Sequence, residues 1–197
     1  MFFGLPESVD SGLAALGNTH SRCVAALLFA SKVRGEASSM GVNESELSVM
    51  RIAYLRAALM EYVGMEEVLP IDLRGLPTRQ VPTTIWGTEN PMLILVRELR
   101  NIQLHLVNSE LIRHPRKAYL KAKPDQLINV SAHTILEADL DKLTISKNAK
   151  QFNSQDFAKA VAWLKCTQLH WGIADVVIES IWEFARRIVV AHTGGAG

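Results

Sequence analysis

The chain has little of several features that assign a protein to a class. It holds only two cysteines, Cys23 and Cys166, far apart and outside any Cys-x-x-Cys spacing. This disfavours a disulfide-stapled fold, and we interpret both as reduced, buried thiols of an intracellular protein. No apolar run is long enough to cross a bilayer, and the first residues lack the pattern of a secretory signal. We therefore expect a cytoplasmic protein with no membrane partner.

The chain also has a low net charge and lacks the common motifs that bind phosphate or metal. The formal net charge is +1, so a nucleic-acid site would have to be a local patch, because the chain as a whole exerts no bulk attraction. No glycine-rich phosphate loop is present. The six histidines show no His-x-x-x-His or Glu-x-x-His spacing, so neither a zinc nor a di-iron site is indicated. We expect no metal and no cofactor.

What the chain does have is helical periodicity. Its 197 residues are 48% hydrophobic and 21% charged, which is typical of one globular domain, residues 1–197. Apolar residues recur at helical spacing in four blocks, at about residues 11–34, 44–68, 91–107 and 154–191. Asn90 and Pro91 form a typical cap and first position for the third helix. Gly172 is expected to kink or split the fourth.

A less helical segment separates the third and fourth helices. Residues 117–121 and 128–135 have the composition of short strands, and Lys123 to Gln126 between them indicate a turn. We predict a β-hairpin inserted at about residues 112–145, with a short helix as the alternative for either strand. The predicted fold is mainly α, an up-and-down helical bundle with this small inserted hairpin.

The third helix carries the most informative motif, Arg100-Asn101-Ile102-Gln103-Leu104-His105. RNA is cut without metal when one group removes the ribose hydroxyl proton and another neutralises charge on the phosphate. Histidine suits the first role because its pKa lies near neutral pH. Arginine suits the second because its planar cation matches phosphate oxygens. The predicted catalytic residues are Arg100 and His105. Asn101 is expected either to form a hydrogen bond between two facing copies of this helix or to fix the histidine tautomer.

Helix geometry constrains how these residues cooperate. Positions five apart on an ideal helix differ by about 140° in azimuth, so Arg100 and His105 do not face one ligand from a regular helix. They converge if the helix is distorted, or if two copies face each other across a two-fold axis. Catalysis by this pair therefore predicts a homodimer.

The segment from Leu99 to His105 resembles the signature of HEPN domains: an arginine, a polar residue, then a histidine after four to six intervening residues. Residues 51–62 are similar to a long early helix of that family, and the resemblance covers about residues 44–108. It implies a dimeric helical bundle whose two motifs line one cleft. In many members it implies a metal-independent endoribonuclease of toxin–antitoxin or phage-defence systems, with an antitoxin as partner. Arg100 would then hold the phosphate, His105 would be the acid or base, and Asn101 would support them.

A basic segment follows the motif. Arg113, Arg116 and Lys117 are its predicted RNA-binding residues, because clustered cations contact the phosphate backbone. A solvated loop face is the alternative interpretation.

Other interpretations stay open. Arg186 and Arg187 precede His192 at similar spacings, so the motif is not unique in the chain. Three tryptophans are expected to be core or dimer-interface residues: Trp163, Trp171 and Trp182. The alternative function is a non-catalytic helical module that binds a protein or RNA partner.

Overall fold

The structure is a computed structural model that describes residues 4–34, 43–74, 81–105, 111–120, 123–143 and 154–193. Within these ranges the chain forms seven α-helices and one two-stranded sheet. In chain order they are α1 (Glu7–Leu13), α2 (Gly17–Arg34), α3 (Glu44–Asp72), a 3-10 turn (Trp86–Thr88), α4 (Pro91–His105), β1 (Leu111–Leu120), β2 (Lys123–Ile135), α5 (Glu137–Leu140), α6 (Ser154–Trp171) and α7 (Ile173–Thr193). The predicted mainly α fold with an inserted hairpin is confirmed.

The first predicted helix is two helices, because α1 ends at Leu13 and α2 begins at Gly17. The start of α2 is fixed to the end of α3: the Asp72 carboxylate accepts hydrogen bonds from the backbone N–H and the hydroxyl of Thr19 at 2.7 and 2.8 Å. These bonds satisfy donors that the first turn of a helix leaves unpaired. The sequence pattern alone did not mark this break.

Local capping explains where α3 and α4 begin. Asn43 and Glu46 form a reciprocal capping box, in which the Asn43 side chain accepts from the Glu46 N–H at 2.9 Å. The Asn90 side chain accepts from the Met92 N–H at 2.9 Å, so the predicted cap of the third helix is confirmed. Helix α3 continues past the predicted end at residue 68 to Asp72.

The predicted fourth helix splits at Gly172, as the glycine suggested. Its φ of +87° is a conformation that residues with a Cβ adopt only with strain. A Cβ there would also lie 3.4 Å from the backbone nitrogen of His133. Gly172 therefore both redirects the chain between α6 and α7 and allows the hairpin to approach closely.

The two strands of the hairpin are longer than predicted. β1 and β2 pair antiparallel from Leu111 opposite Ile135 to Tyr119 opposite Leu127. The turn predicted at Lys123–Gln126 is wrong, because these residues are extended in β2. A proline is tolerated there because both strands of a two-stranded sheet are edge strands. Beyond β2, the predicted insertion also contains α5, and its residues 144–145 lie outside the described ranges.

The core lies between α2, α3, α4 and α7. Tyr62 and Phe184 meet edge to face at its centre, with ring centroids 6.0 Å apart. Cys23 is buried, and burial raises the pKa of its thiol to about 12. Cys166 is exposed on α6, so the prediction of two buried thiols is wrong for this residue. None of the described helices is long and apolar enough to cross a membrane.

Candidate functional site

The predicted catalytic arginine lies near the end of α4. The Arg100 side chain is partly exposed, and its Nε donates a hydrogen bond to the Met60 sulfur of α3 at 3.2 Å. A thioether is a weak acceptor and carries no charge. Within the described residues the guanidinium of Arg100 pairs with no carboxylate. Its positive charge is therefore available to an anion.

Asn101 has a different environment. Its Nδ2 donates to Glu98 Oε2 at 3.2 Å, and Glu98 is only 2% exposed. Burial raises the pKa of the Glu98 carboxyl, while Arg97 and Asn101 oppose that shift. Asn101 thus stabilises a buried acid on its own helix.

Glu98 belongs to a chain of partly buried polar contacts. Arg97 donates to Glu98 Oε1 at 3.1 Å and to Glu66 Oε2 at 2.9 Å. The second oxygen of Glu66 accepts from the Ile85 N–H. We call Glu66, Arg97, Glu98 and Asn101 the motif junction. It fixes the last turns of α4 to α3, immediately beside Arg100.

His105 is the last residue of α4, and its side chain lies outside the described part of the structure. The backbone of α4 is helical through the whole motif, so the azimuthal separation of Arg100 and His105 expected for a regular helix applies. Convergence of these two residues within one chain through a distorted helix therefore receives no support from α4.

The predicted RNA-binding residues lie on β1. Arg113 Nε donates to Ser131 Oγ at 2.7 Å, and its Nη1 lies 3.7 Å from Glu44 Oε1. Arg116 and Lys117 pair with Val130 and Asn129 in the sheet, and their side chains lie outside the described residues. The basic segment is thus a strand and not a loop.

Arg113 and Arg100 contact α3 at separate points. Glu44, beside Arg113, is the first residue of α3, whereas Met60, beside Arg100, lies about 24 Å further along the helix axis. Within one chain, the structure does not place Arg113 next to the motif.

Around Arg113 lies a second polar cluster, which sequence analysis missed. We call Glu44, Arg51, Arg113 and His133 the hairpin junction. His133 is opposite Arg113 in the sheet and is 5% exposed, while Arg51 is 7% exposed and bonds Glu44 at 3.2 Å. The Nε2 of His133 has no hydrogen-bond partner in the described structure. The sequence singled out Arg113 as a basic residue and placed His133 in a predicted strand, but it did not indicate that Glu44 and Arg51 join them.

Electrostatics keep His133 neutral. Burial, with the positive charges of Arg51 and Arg113, lowers its pKa to about 4, whereas Glu44 opposes this shift. His114, which contacts Thr134 at 3.0 Å, adds a smaller lowering effect. A neutral imidazole between two arginines is consistent with a structural role at neutral pH.

Trp182 packs against the core, as predicted, but Trp163 and Trp171 do not belong to it, and their alternative placement in a dimer interface stays a prediction. Trp163 is 42% exposed and Trp171 is 69% exposed. Together with Trp182 they line a cavity of about 580 Å³ between α6, α7 and the start of α4. Because Arg100 lies near the opposite end of α4, this cavity and the motif are separate sites.

Among the described residues, no group of three or more His, Cys, Asp or Glu side chains is placed to hold a metal ion. No family model, curated protein or solved structure matches the chain.

Proposed function

We propose that the chain is a HEPN-like endoribonuclease that cuts RNA without metal, using Arg100 and His105. The observation that carries the proposal is the partly exposed Arg100 guanidinium, which lacks a carboxylate partner in the described structure. Arg97, one turn earlier on the same helix, is bound by Glu66 and Glu98. A cation that the fold leaves uncompensated suits a phosphate ligand.

The proposed reaction is internal transesterification. His105 removes the proton of the ribose 2′-hydroxyl, whose oxygen attacks phosphorus and forms a cyclic phosphate. The P–O bond to the next nucleotide breaks, and its oxygen takes a proton from a second histidine or from water. Arg100 neutralises the charge that develops on the phosphate oxygens. Asn101, bonded to Glu98, supports the position of the motif through the motif junction.

We propose a homodimer as the active form. A regular α4 separates Arg100 and His105 in azimuth. One helix therefore cannot direct both side chains to the same phosphate, and the second copy would supply the missing one. Arg113, Arg116 and Lys117 would contact the RNA backbone at a distance from the cut. In the toxin–antitoxin or phage-defence setting that the resemblance implies, an antitoxin would be the protein partner.

The test is cleavage of cellular RNA by the purified protein in EDTA. We expect wild-type protein to produce cyclic-phosphate ends, and Arg100→Ala to lower the rate by about 100-fold, the effect of losing one donor to developing charge. Arg74→Ala is the matched control, because Arg74 is exposed just after α3 and pairs with no carboxylate among the described residues. Absence of cleavage by the wild type, or equal rates for the two variants, would refute the proposal.

The second candidate function is a non-catalytic helical module that binds a partner or ligand. The tryptophan-lined cavity favours it, because a cavity with exposed aromatic walls is typical of a binding site. In that case both arginine variants would leave RNA uncut while ligand binding persists.

A further inference from the structure

The cavity between α6 and α7 has unusual walls. Trp163 and Trp171 lie on α6 and Trp182 lies on α7, and all three line it. Two of them are among the most exposed large apolar side chains described. Exposed aromatic side chains that cluster in one cavity indicate an interaction site more often than isolated exposed side chains do.

Acidic side chains line the same cavity. Asp175, Glu179 and Glu183 follow one another at a spacing of four residues on α7, which places them along one face of the helix. Among the described residues that line the cavity, Arg34 is the one basic side chain. The cavity wall therefore combines aromatic and acidic side chains.

Not all of this negative charge is compensated. Asp175 pairs with Arg34 at 2.9 Å, and Glu183 pairs with Arg187 at 2.6 Å and with Arg186 at 2.8 Å. Glu179 has no ion pair or hydrogen bond within the described residues. Burial raises the pKa of Asp175 and the charge of Glu179 raises it too, while Arg34 opposes both. A further cation would relieve this repulsion.

Aromatic faces and a nearby carboxylate are the two components that recognise a quaternary ammonium. Such a cation carries no N–H that needs a hydrogen bond, and its methyl groups pack on tryptophan. The cavity volume of about 580 Å³ lies in the range of small-molecule sites. We infer that this cavity binds a small organic cation, a quaternary ammonium on an apolar body, between the tryptophans and Glu179. The site is independent of the proposed ribonuclease.

Charge complementarity selects this occupant over others. A neutral apolar ligand would displace water from the carboxylates without replacing its favourable interactions. An anion would be repelled by the carboxylate of Glu179, which has no cationic partner among the described residues. A second copy of this chain would be an alternative cover for the exposed tryptophans, and the experiment distinguishes it.

The test is calorimetric titration of the full chain with benzyltrimethylammonium and choline, and with the uncharged tert-butyl isostere of choline. We expect both cations to bind, and choline to bind about tenfold more tightly than its isostere. Trp171→Ala and Glu179→Gln should each lower the affinity for benzyltrimethylammonium by about tenfold. The controls are Leu169→Ala, exposed on α6, and Glu67→Gln, exposed on α3, neither of which lines the cavity.

Several results would overturn this inference. They are no binding of either cation at millimolar concentration, equal affinity for choline and its isostere, or equal losses in cavity and control variants. Sedimentation of wild type and Trp171→Ala tests the other possible occupant, a second copy of this chain. Circular dichroism establishes that the variant is folded. If Trp171→Ala abolishes self-association and no cation binds the wild type, the cavity is a contact between copies and the inference is wrong.

Discussion

The motif junction and the hairpin junction both bury charged or titratable side chains, but they offset the cost of burying charge in different ways. In the motif junction, Arg97 lies between two carboxylates, so opposite charges compensate each other. In the hairpin junction, His133 lies near two arginines and one glutamate and stays neutral, and its Nε2 has no hydrogen-bond partner in the part of the chain that the structure describes. The first arrangement holds the end of α4 rigidly in place. We expect the second to make the attachment of the hairpin sensitive to pH.

The largest expected effect comes from breaking the motif junction. Arg97→Ala would leave Glu66 and Glu98, whose side chains are 9% and 3% exposed, without their shared cation. Removing one partner of a buried ion pair costs about 3–5 kcal/mol. Urea unfolding should show that loss. Arg100→Ala, on the same helix, should cost less than about 1 kcal/mol. Similar losses in the two variants would mean that Arg100 is also structural.

The hairpin junction should respond to pH. The folded pKa of His133 is about 4, below its ordinary value of 6.5, so the unfolded chain binds the proton more readily. The stabilising contribution is therefore fully present above about pH 6.5 and is lost as pH falls toward about 4. Its size is at most about 3 kcal/mol. Urea unfolding across this window measures it.

His133→Leu should flatten this part of the stability profile, because the variant has no imidazole to protonate. His114→Gln is the matched control on the same hairpin, and it should keep the slope. A wild-type profile that does not fall between about pH 6.5 and about pH 4 would contradict the assignment of a buried neutral His133.

A smaller effect is expected where the hairpin meets α6 and α7. Gly172→Ala puts a Cβ on a residue with φ +87° and close to the His133 backbone, and we expect a loss of about 1–2 kcal/mol. Gly17→Ala is the control, since nothing lies within 4 Å of its added Cβ. It should be neutral or slightly stabilising. Thermal unfolding of both variants checks this difference.

The sequence predicted what depends on local pattern. Asn90 capped α4 and Gly172 split the last helix because capping and backbone freedom are properties of one or two residues. It did not predict the extension of β2 through Pro124 or the exposure of Trp171. Both features depend on which residues pack beside them. Tryptophans at helical spacing give the same sequence pattern whether they lie in a core or line a cavity.

The candidate site divides in the same way. Arg100 could be identified from its spacing to His105, but the two junctions could not. Glu66 and Arg97 are brought together by the packing of α3 on α4, and Glu44 and Arg113 by the packing of α3 against β1. Contacts between residues this distant in sequence leave no trace in local periodicity.

The most direct measurement is the initial rate of RNA cleavage in EDTA by wild type, His105→Ala and His192→Ala. His192 completes the rival arginine–histidine spacing on α7, so it is the matched control. If His105 moves the proton, His105→Ala loses about 100-fold or more, while His192→Ala keeps the wild-type rate. A wild type that leaves RNA intact, or a His105→Ala that cuts as fast as wild type, would contradict the proposed function.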